Sequence, residues 1–369
     1  MQFLIENARR VTIKLGTGIL TSGKNRMDLD RIRGITDQVA ALREKGLEVL
    51  IVSSGAVGLG MGQLGPNKRP ADLPALQACA AVGQTILINT WQALFDTHDI
   101  KVAQILLTHD DVMGRRRHVA IKDTLEKLLS MGVIPIVNEN DSVNAEEIKF
   151  GDNDILSALV AILTKSDMLL ILSTIPGLLD RSGSGDLVPL VEKITPEIER
   201  MAEGTRSITS VGGMRTKIAA AKQAAESGCG VFIGSGLEPK LLTRLFNGQA
   251  SGTYFMPASI DMHSKKRWIA FFERPKGTVQ VDPGAREAIL EKGSSLLASG
   301  VTQHTDQFKT GDIINIANSD GSVFARGISQ FDSDELALIS GKKTGEIRKI
   351  FPERKRFEVI HRDSLALLG

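Results

Sequence analysis

The sequence predicts an α/β protein, a doubly wound and mostly parallel sheet, followed by a small β-rich domain. Short apolar runs rich in β-branched residues alternate with amphipathic stretches through the first two thirds of the chain. After Gly252 that rhythm gives way to short alternating runs split by glycines. A length of 369 residues suits one large domain and one small.

The elements follow in order. Residues 11–14, 47–53, 102–108, 133–137, 168–172 and 231–233 are apolar runs that read as buried parallel strands. Between them, helical periodicity predicts helices over 29–45, 75–95, 119–131, 155–164 and 216–227. Residues 278–281, 313–316 and 323–328 are the strand-like runs of the second domain, with turns at Gly311-Asp312 and Asp320-Gly321. The second turn is flanked by two such runs, which predicts a hairpin. The expected division is a first domain over 1–255, a linker over 256–275 and a second domain over 276–369. Open α/β sheets bind ligands beyond the carboxyl ends of their strands, so chemistry is expected in the loops there.

Composition narrows the field of functions. Lys and Arg number 45 against 43 Asp and Glu, so no global charge draws the protein to nucleic acid or an anionic membrane. Any polyanion site must be local. Cys79 and Cys229 are too few and too separated for a disulfide framework or a cysteine zinc site. The first ten residues lack the pattern of a signal peptide, and no run reaches membrane-spanning length. A cytoplasmic protein with no membrane partner is expected.

Four strand-end loops concentrate the groups that could do chemistry. Lys14 ends the first strand and runs into Gly16-Thr17-Gly18, read as a flexible loop with exposed N–H groups. Alone, that arrangement is better explained by a βα turn with a lysine reaching solvent. The second strand ends in Ser53-Ser54-Gly55-Ala56, small and polar, suited to a carboxylate or phosphate. Beyond it, Gly60-Met61-Gly62-Gln63-Leu64-Gly65 fits the dinucleotide fingerprint by spacing but starts too far from the strand, and is read as a glycine-rich loop. Asn138-Glu139-Asn140-Asp141 and Gly151-Asp152-Asn153-Asp154 bring amides and carboxylates together around one crossover. Any one of these could be a turn or cap residue. Finally, Gly212-Gly213-Met214 opens a helix whose first turn holds Lys217, a favourable end for an anion.

Two lysines, several glycine amides and an Asn/Asp cradle on one sheet edge suit phosphoryl transfer to an anion, which needs reactants held in line and their charge offset. A carboxylate nucleophile requires no general base. That fits the six histidines, including His109 and His118, which read as surface or packing residues.

Lys14-Leu15-Gly16-Thr17, Ser53-Ser54-Gly55-Ala56, Ala81-Val82-Gly83-Gln84, Asn138-Glu139-Asn140-Asp141, Gly151-Asp152-Asn153-Asp154 and Gly212-Gly213-Met214 with Thr216-Lys217 occur in the order of a known family. The chain resembles the bacterial glutamate 5-kinases, an amino acid kinase domain followed by a PUA domain, over nearly its whole length. The resemblance implies ATP-dependent phosphorylation of the L-glutamate side-chain carboxylate, with Mg²⁺ bridging the β- and γ-phosphates. It implies that Lys14 and Lys217 contact the transferring phosphoryl group and that Asp154 organises them. Ser54, Gly55, Asn138, Asp141 and Asn153 would hold glutamate, with Asp152 nearby. Gly16, Ser173, Thr174, Gly212, Gly213 and Met214 would line the nucleotide side beside the two lysines. Proline feedback, a dimer or tetramer, and coupling to glutamyl phosphate reductase are further expectations of the resemblance. Alternatives are a related carboxylate kinase with another acceptor, or an impaired enzyme that binds RNA or regulates a partner.

Residues 276–369 carry 13 Lys and Arg against 13 Asp and Glu, so RNA binding by the second domain is not favoured. Residues 342–362 alone hold eight basic and three acidic residues, read as a solvated face. The chain departs from the family at Ser173-Thr174-Ile175-Pro176-Gly177-Leu178-Leu179-Asp180, where a nucleotide-facing aspartate is usual, and at Leu76, Ala120 and Val211.

Overall fold

The computed structural model describes every residue except 1–4, 6, 24, 66–68, 144–151, 181–182, 203–212, 259–263, 273–274 and 369. The side chains of residues 109, 152, 264, 265 and 267 also lie outside the description, so the expectation for His109 is not addressed. The chain divides into two compact units, Met1–Ser259 and Ile260–Gly369.

In the first unit, β1 (Arg10–Leu15) is followed by a short hairpin of β2 (Thr21–Ser22) and β3 (Arg26–Met27). Then come β4 (Glu48–Ser53), β5 (Val102–Leu107), β6 (Ile134–Glu139), β7 (Met168–Ser173), β8 (Leu190–Val191), β9 (Gly230–Ser235) and β10 (Thr253–Phe255). Eight of these strands form one sheet in the order β5-β6-β4-β1-β7-β9-β10-β8. Pairing is parallel from β5 across to β9 and antiparallel between β9 and β10. β1 lies between β4 and β7, so its carboxyl end opens where the strand order reverses, the expected place for a ligand.

Strand alternation decides which way Lys14 faces. Val11, Ile13 and Leu15 enter an apolar cluster with Ile32 and Val39 of α2 (Leu29–Glu44) and Leu87 and Trp91 of α4 (Leu73–Asp96). Successive side chains point to opposite faces, so Thr12 and Lys14 face the other layer. That layer holds α7 (Asp152–Leu163) and α9 (Met214–Glu226), whose Ala158, Ala161, Ile218 and Ala221 pack on Leu169 and Ile171 of β7. At the far end of β1, Arg10 anchors the strand through Glu48 at 2.8 Å and Glu126 at 2.7 Å, and also reaches the Thr164 carbonyl.

Each of the five helices expected in this unit is present, but most begin earlier than their apolar periodicity. The helix read over 155–164 starts at Asp152, and that over 119–131 is α6 (Arg115–Ser130), because polar first turns add no apolar signal. One reading is corrected. The supposed glycine-rich loop at 60–65 lies largely in α3 (Ala56–Leu64), which packs directly on α4. A Cβ on Gly60 would stand 1.8 Å from the Cys79 carbonyl oxygen, and one on Gly83 would stand 1.7 Å from that of Ala56. These glycines are there so that two helix backbones can touch.

The second unit has a five-stranded sheet in the order β13 (Val301–Thr305), β11 (Gly277–Val281), β14 (Ile313–Ala317), β15 (Val323–Ile328) and β17 (Leu365–Leu367). A two-stranded pair joins β12 (Leu296–Leu297) to β16 (Glu358–Ile360). β14 and β15 form the expected hairpin, with Gly321 at φ +84° in its turn. Ser264–Phe271, within the segment read as linker, is a helix packed on β15 and β17. Val279, Ile314, Phe331, Leu336 and Val359 belong to this unit's own core. Both cysteines are buried, and neither is in a disulfide. Among the described residues, no helix is long and apolar enough to cross a membrane.

Candidate active site

Three charged side chains meet under the carboxyl end of the sheet. Lys14 Nζ lies 2.7 Å from Asp154 Oδ1, a charge contact without hydrogen-bond alignment. Lys217 Nζ donates to Asp154 Oδ2 at 3.1 Å. Thr216 shares its hydroxyl proton between Asp154 Oδ2 and the Gly213 carbonyl, each at 2.9 Å. Lys14, Asp154 and Lys217 are only 6%, 0% and 3% exposed. The elements dictate this meeting. β1 turns Lys14 toward α7, Asp154 stands in the first turn of α7, and Lys217 stands in the first turn of α9.

The electrostatics follow from burial and proximity. Burial opposes ionisation of Asp154, but the charges of Lys14 and Lys217 and their contacts outweigh it, and the carboxyl is held below its ordinary range. Burial lowers the pKa of Lys217. Asp154 pushes back upward, while Lys14 repels, and the result is an ammonium that loses its proton more readily than a free lysine. Among the described residues, two cations thus share the carboxylate of Asp154, and all three groups are withdrawn from water. Such a site attracts an anion.

Around this centre the expected loops adopt definite forms. Gly16-Thr17-Gly18 is not a flexible loop. Thr17–Leu20 is a helical turn, α1, and the Gly16 N–H donates to the Leu172 carbonyl at 3.1 Å. Gly16 thus joins β1 to β7, and its amide is already engaged. A Cβ on Gly18 would lie 2.8 Å from Thr174 Cγ2, so that glycine lets the loops after β1 and β7 approach each other. Ser173 is buried at the end of β7, with its carbonyl accepting from Gly236 at 2.9 Å, and Thr174 is exposed. The Ser54 N–H donates to Leu15 at 3.2 Å, and Gly55 takes φ +100° to start α3. Gly213 caps α9, whose first residue, Met214, is buried. Gly212 and Val211 lie outside the described residues, as does the Asp152 side chain.

The amide cradle is built on Asn138, the penultimate residue of β6, which is 1% exposed. Its Oδ1 accepts from the Glu139 backbone N–H at 2.9 Å and from Asn153 Nδ2 at 3.2 Å. Its Nδ2 donates to Gln84 Oε1 at 2.9 Å. A cavity of about 280 Å³ opens beside it, lined by Gln84, Thr85, Gln104, Asn140, Asp141 and Ser142 among others. Gln84 and Thr216 are the participants to which sequence reasoning assigned no role. Each sits inside a quoted motif, but its partner is far away in sequence.

Comparison with known proteins gives the family. A model of the amino acid kinase family matches residues 9–235, and a model of the PUA domain matches residues 277–351. The glutamate 5-kinase of Trichlorobacter lovleyi is 44% identical over 369 residues, covering 99% of this chain and 98% of the relative. That of Myxococcus xanthus is 42% identical, covering 99% and 97%. Among solved structures, a carbamate kinase from Giardia lamblia bound to AMP-PNP matches with a TM-score of 0.51 at 17% identity, over 69% of this chain and 100% of that one. At that identity the likeness speaks for the fold.

Proposed function

The chain belongs to the amino acid kinase family, and on that premise we propose that Lys14, Asp154 and Lys217 carry the phosphoryl transfer of a glutamate 5-kinase. The reaction is ATP-dependent phosphorylation of the L-glutamate side-chain carboxylate to L-glutamyl 5-phosphate, at the head of proline biosynthesis. A carboxylate oxygen forms a bond to the γ-phosphorus, the bond to the bridging oxygen breaks, and ADP leaves with the electron pair. No proton need move, so no general base is required.

The observation that carries this reading is the pair of buried ammonium groups. Lys14 and Lys217 are each within 3.1 Å of the Asp154 carboxylate, which holds two cations together where an anionic phosphoryl group can be met. Fixed cations in a dry site stabilise charge on the equatorial oxygens without reorganising at the moment of reaction. Asp154 touches both lysines and sets their spacing.

Mg²⁺ fits as a passenger of the nucleotide. Among the described residues no group of three or more His, Cys, Asp or Glu side chains could hold a metal, and the oxygens of Asp154 face Lys14, Thr216 and Lys217. Magnesium commonly relies on substrate phosphates and water for most of its shell. The nucleotide would lie toward Gly16, Ser173, Thr174, Gly213 and Met214, and glutamate toward Ser54, Gly55, Asp141 and Asn153.

Incubation with ATP, Mg²⁺, glutamate and hydroxylamine should yield the hydroxamate of the trapped acyl phosphate. Absence of a glutamate-dependent product, or preference for N-acetylglutamate, aspartate, carbamate or a nucleoside monophosphate, would overturn the assignment. Proline carries the same carboxylate and ammonium about its α-carbon, so it would inhibit by competing for the cradle. An acyl phosphate hydrolyses readily, which favours delivery to a glutamyl phosphate reductase in the cytoplasm. Self-association as a dimer or tetramer is part of the same proposal, and sedimentation tests it.

A further inference from the structure

Gln84 is 8% exposed on α4, and its Nε2 is buried with no hydrogen-bond partner among the described residues. Carboxamide oxygen and nitrogen are ordinarily hard to tell apart, so an orphan nitrogen could be an orphan oxygen misassigned. Here the main chain removes the ambiguity. The backbone N–H of Glu139 can only donate, and it donates to Asn138 at 2.9 Å, so the Asn138 atom it meets must be the oxygen. The Asn138 nitrogen then faces Gln84 and must donate, so the Gln84 atom facing it must be an oxygen. Nε2 is left over as a donor.

The same reasoning runs the other way. Asn153 donates its Nδ2 to Asn138 Oδ1 at 3.2 Å, and its own Oδ1 is buried without a partner among the described residues. The relay Gln84–Asn138–Asn153 is therefore polar from end to end, with an unmet donor on Gln84 and an unmet acceptor on Asn153. A buried polar group left unmet is costly, so a ligand that completes both ends is favoured. Gln84 also lines the cavity that includes Asp141.

We propose that Gln84 is a specificity-determining residue whose side-chain N–H reads the α-carboxylate of the amino acid, its direction fixed through Asn138 by the Glu139 backbone N–H. The α-ammonium is the complementary donor for the Asn153 end of the relay. This rests on the kinase reading and adds to it. The site distinguishes an α-carboxylate from groups that would present a donor at that point.

The test uses the full chain and two acceptors, L-glutamate and its α-carboxamide. Gln84→Glu keeps the acceptor that faces Asn138 and replaces the outward donor with a carboxylate oxygen. Expected is a rise in the KM for glutamate of roughly tenfold to a hundredfold, the loss of one hydrogen bond to a charged group. The kcat and the KM for ATP should stay within about threefold. The α-carboxamide can donate to the new carboxylate, so the ratio of its kcat/KM to that of glutamate should rise at least about tenfold. Parallel losses for both acceptors with that ratio unchanged would overturn the proposal, since a purely structural role predicts that result. If Gln84→Glu does not fold, Gln84→Met serves, and an unchanged glutamate KM there refutes the assignment. A wild-type protein that makes no glutamate-dependent product fails earlier, at the kinase reading itself.

Discussion

On the proposed assignment, the chemistry of the site rests on two ammonium groups held by one carboxylate. Lys14→Ala and Lys217→Ala should each lower kcat by about 10²- to 10³-fold, as removal of one preorganised charge-stabilising donor does. Single-turnover rates at saturating ATP and glutamate measure this directly. The pH dependence has a definite sign. Lys217 must be cationic to act, and burial, with Lys14 adding to it, brings its pKa below the ordinary 10.5, so kcat/KM should fall at high pH earlier than a free lysine would dictate. Asp154 is the group that raises that pKa. Asp154→Asn should therefore move the alkaline limb of the residual activity to lower pH, and Lys14→Ala should move it higher. A limb that stays put in both variants would show that Lys217 does not titrate in the rate.

At the scale of elements, the site depends on how closely α3 and α4 cross. Gly83 immediately precedes Gln84, and a Cβ there would collide with the Ala56 carbonyl at 1.7 Å and the Gly60 nitrogen at 2.6 Å. Both obstacles are backbone and cannot step aside. Gly83→Ala should destabilise the protein by about 3 kcal/mol, the upper part of the usual range for overpacking, measurable by urea unfolding. In whatever folded fraction remains, the glutamate KM should rise, because Gln84 moves with the helix. Gly60 also marks how far the elements were legible from sequence. The positions of β1, β4, β5, β6, β7 and β9 and their parallel character followed from β-branched runs, since hydrophobic periodicity is a local property, but short strands such as β8 and β10 and the strand order did not. The glycine spacing of 60–65 was local too, but its cause was Cys79 on another helix, and it was misread as a loop. Lys14, Asp154 and Lys217 were legible as motif members, and alternation along β1 explains why they meet. Gln84 was not legible as a ligand, because its role depends on Asn138, 54 residues away, and on an N–H that has no letter in the sequence.

At the scale of the whole molecule, each unit has its own apolar core. Residues 260–369 expressed alone should unfold cooperatively in urea, since Val279, Ile314, Phe331 and Val359 are fully buried within that unit. A gradual, non-sigmoidal transition would contradict this. The basic run at 342–362 is mostly exposed, as a solvated face would be, with Lys343, Arg348, Lys349, Lys355, Arg356 and Arg362 all on the surface. Arg354 stacks 4.2 Å from the Phe331 ring centroid and pairs with Glu335, while Arg348 lies 5.4 Å from Phe357. Arg354 at least is committed to its rings and to Glu335.

The paired charge around Lys14 reaches beyond catalysis, into how long each copy of the protein lasts. Two ammonium groups this close repel each other, a bound phosphate would offset that repulsion, and a ligand present at a hundred times its dissociation constant adds about 2.7 kcal/mol to stability. A shift of that size changes the unfolded fraction by roughly a hundredfold, and with it exposure to proteases. Nucleotide should therefore raise the unfolding midpoint and slow proteolysis, which scans and digests with and without an ATP analogue measure.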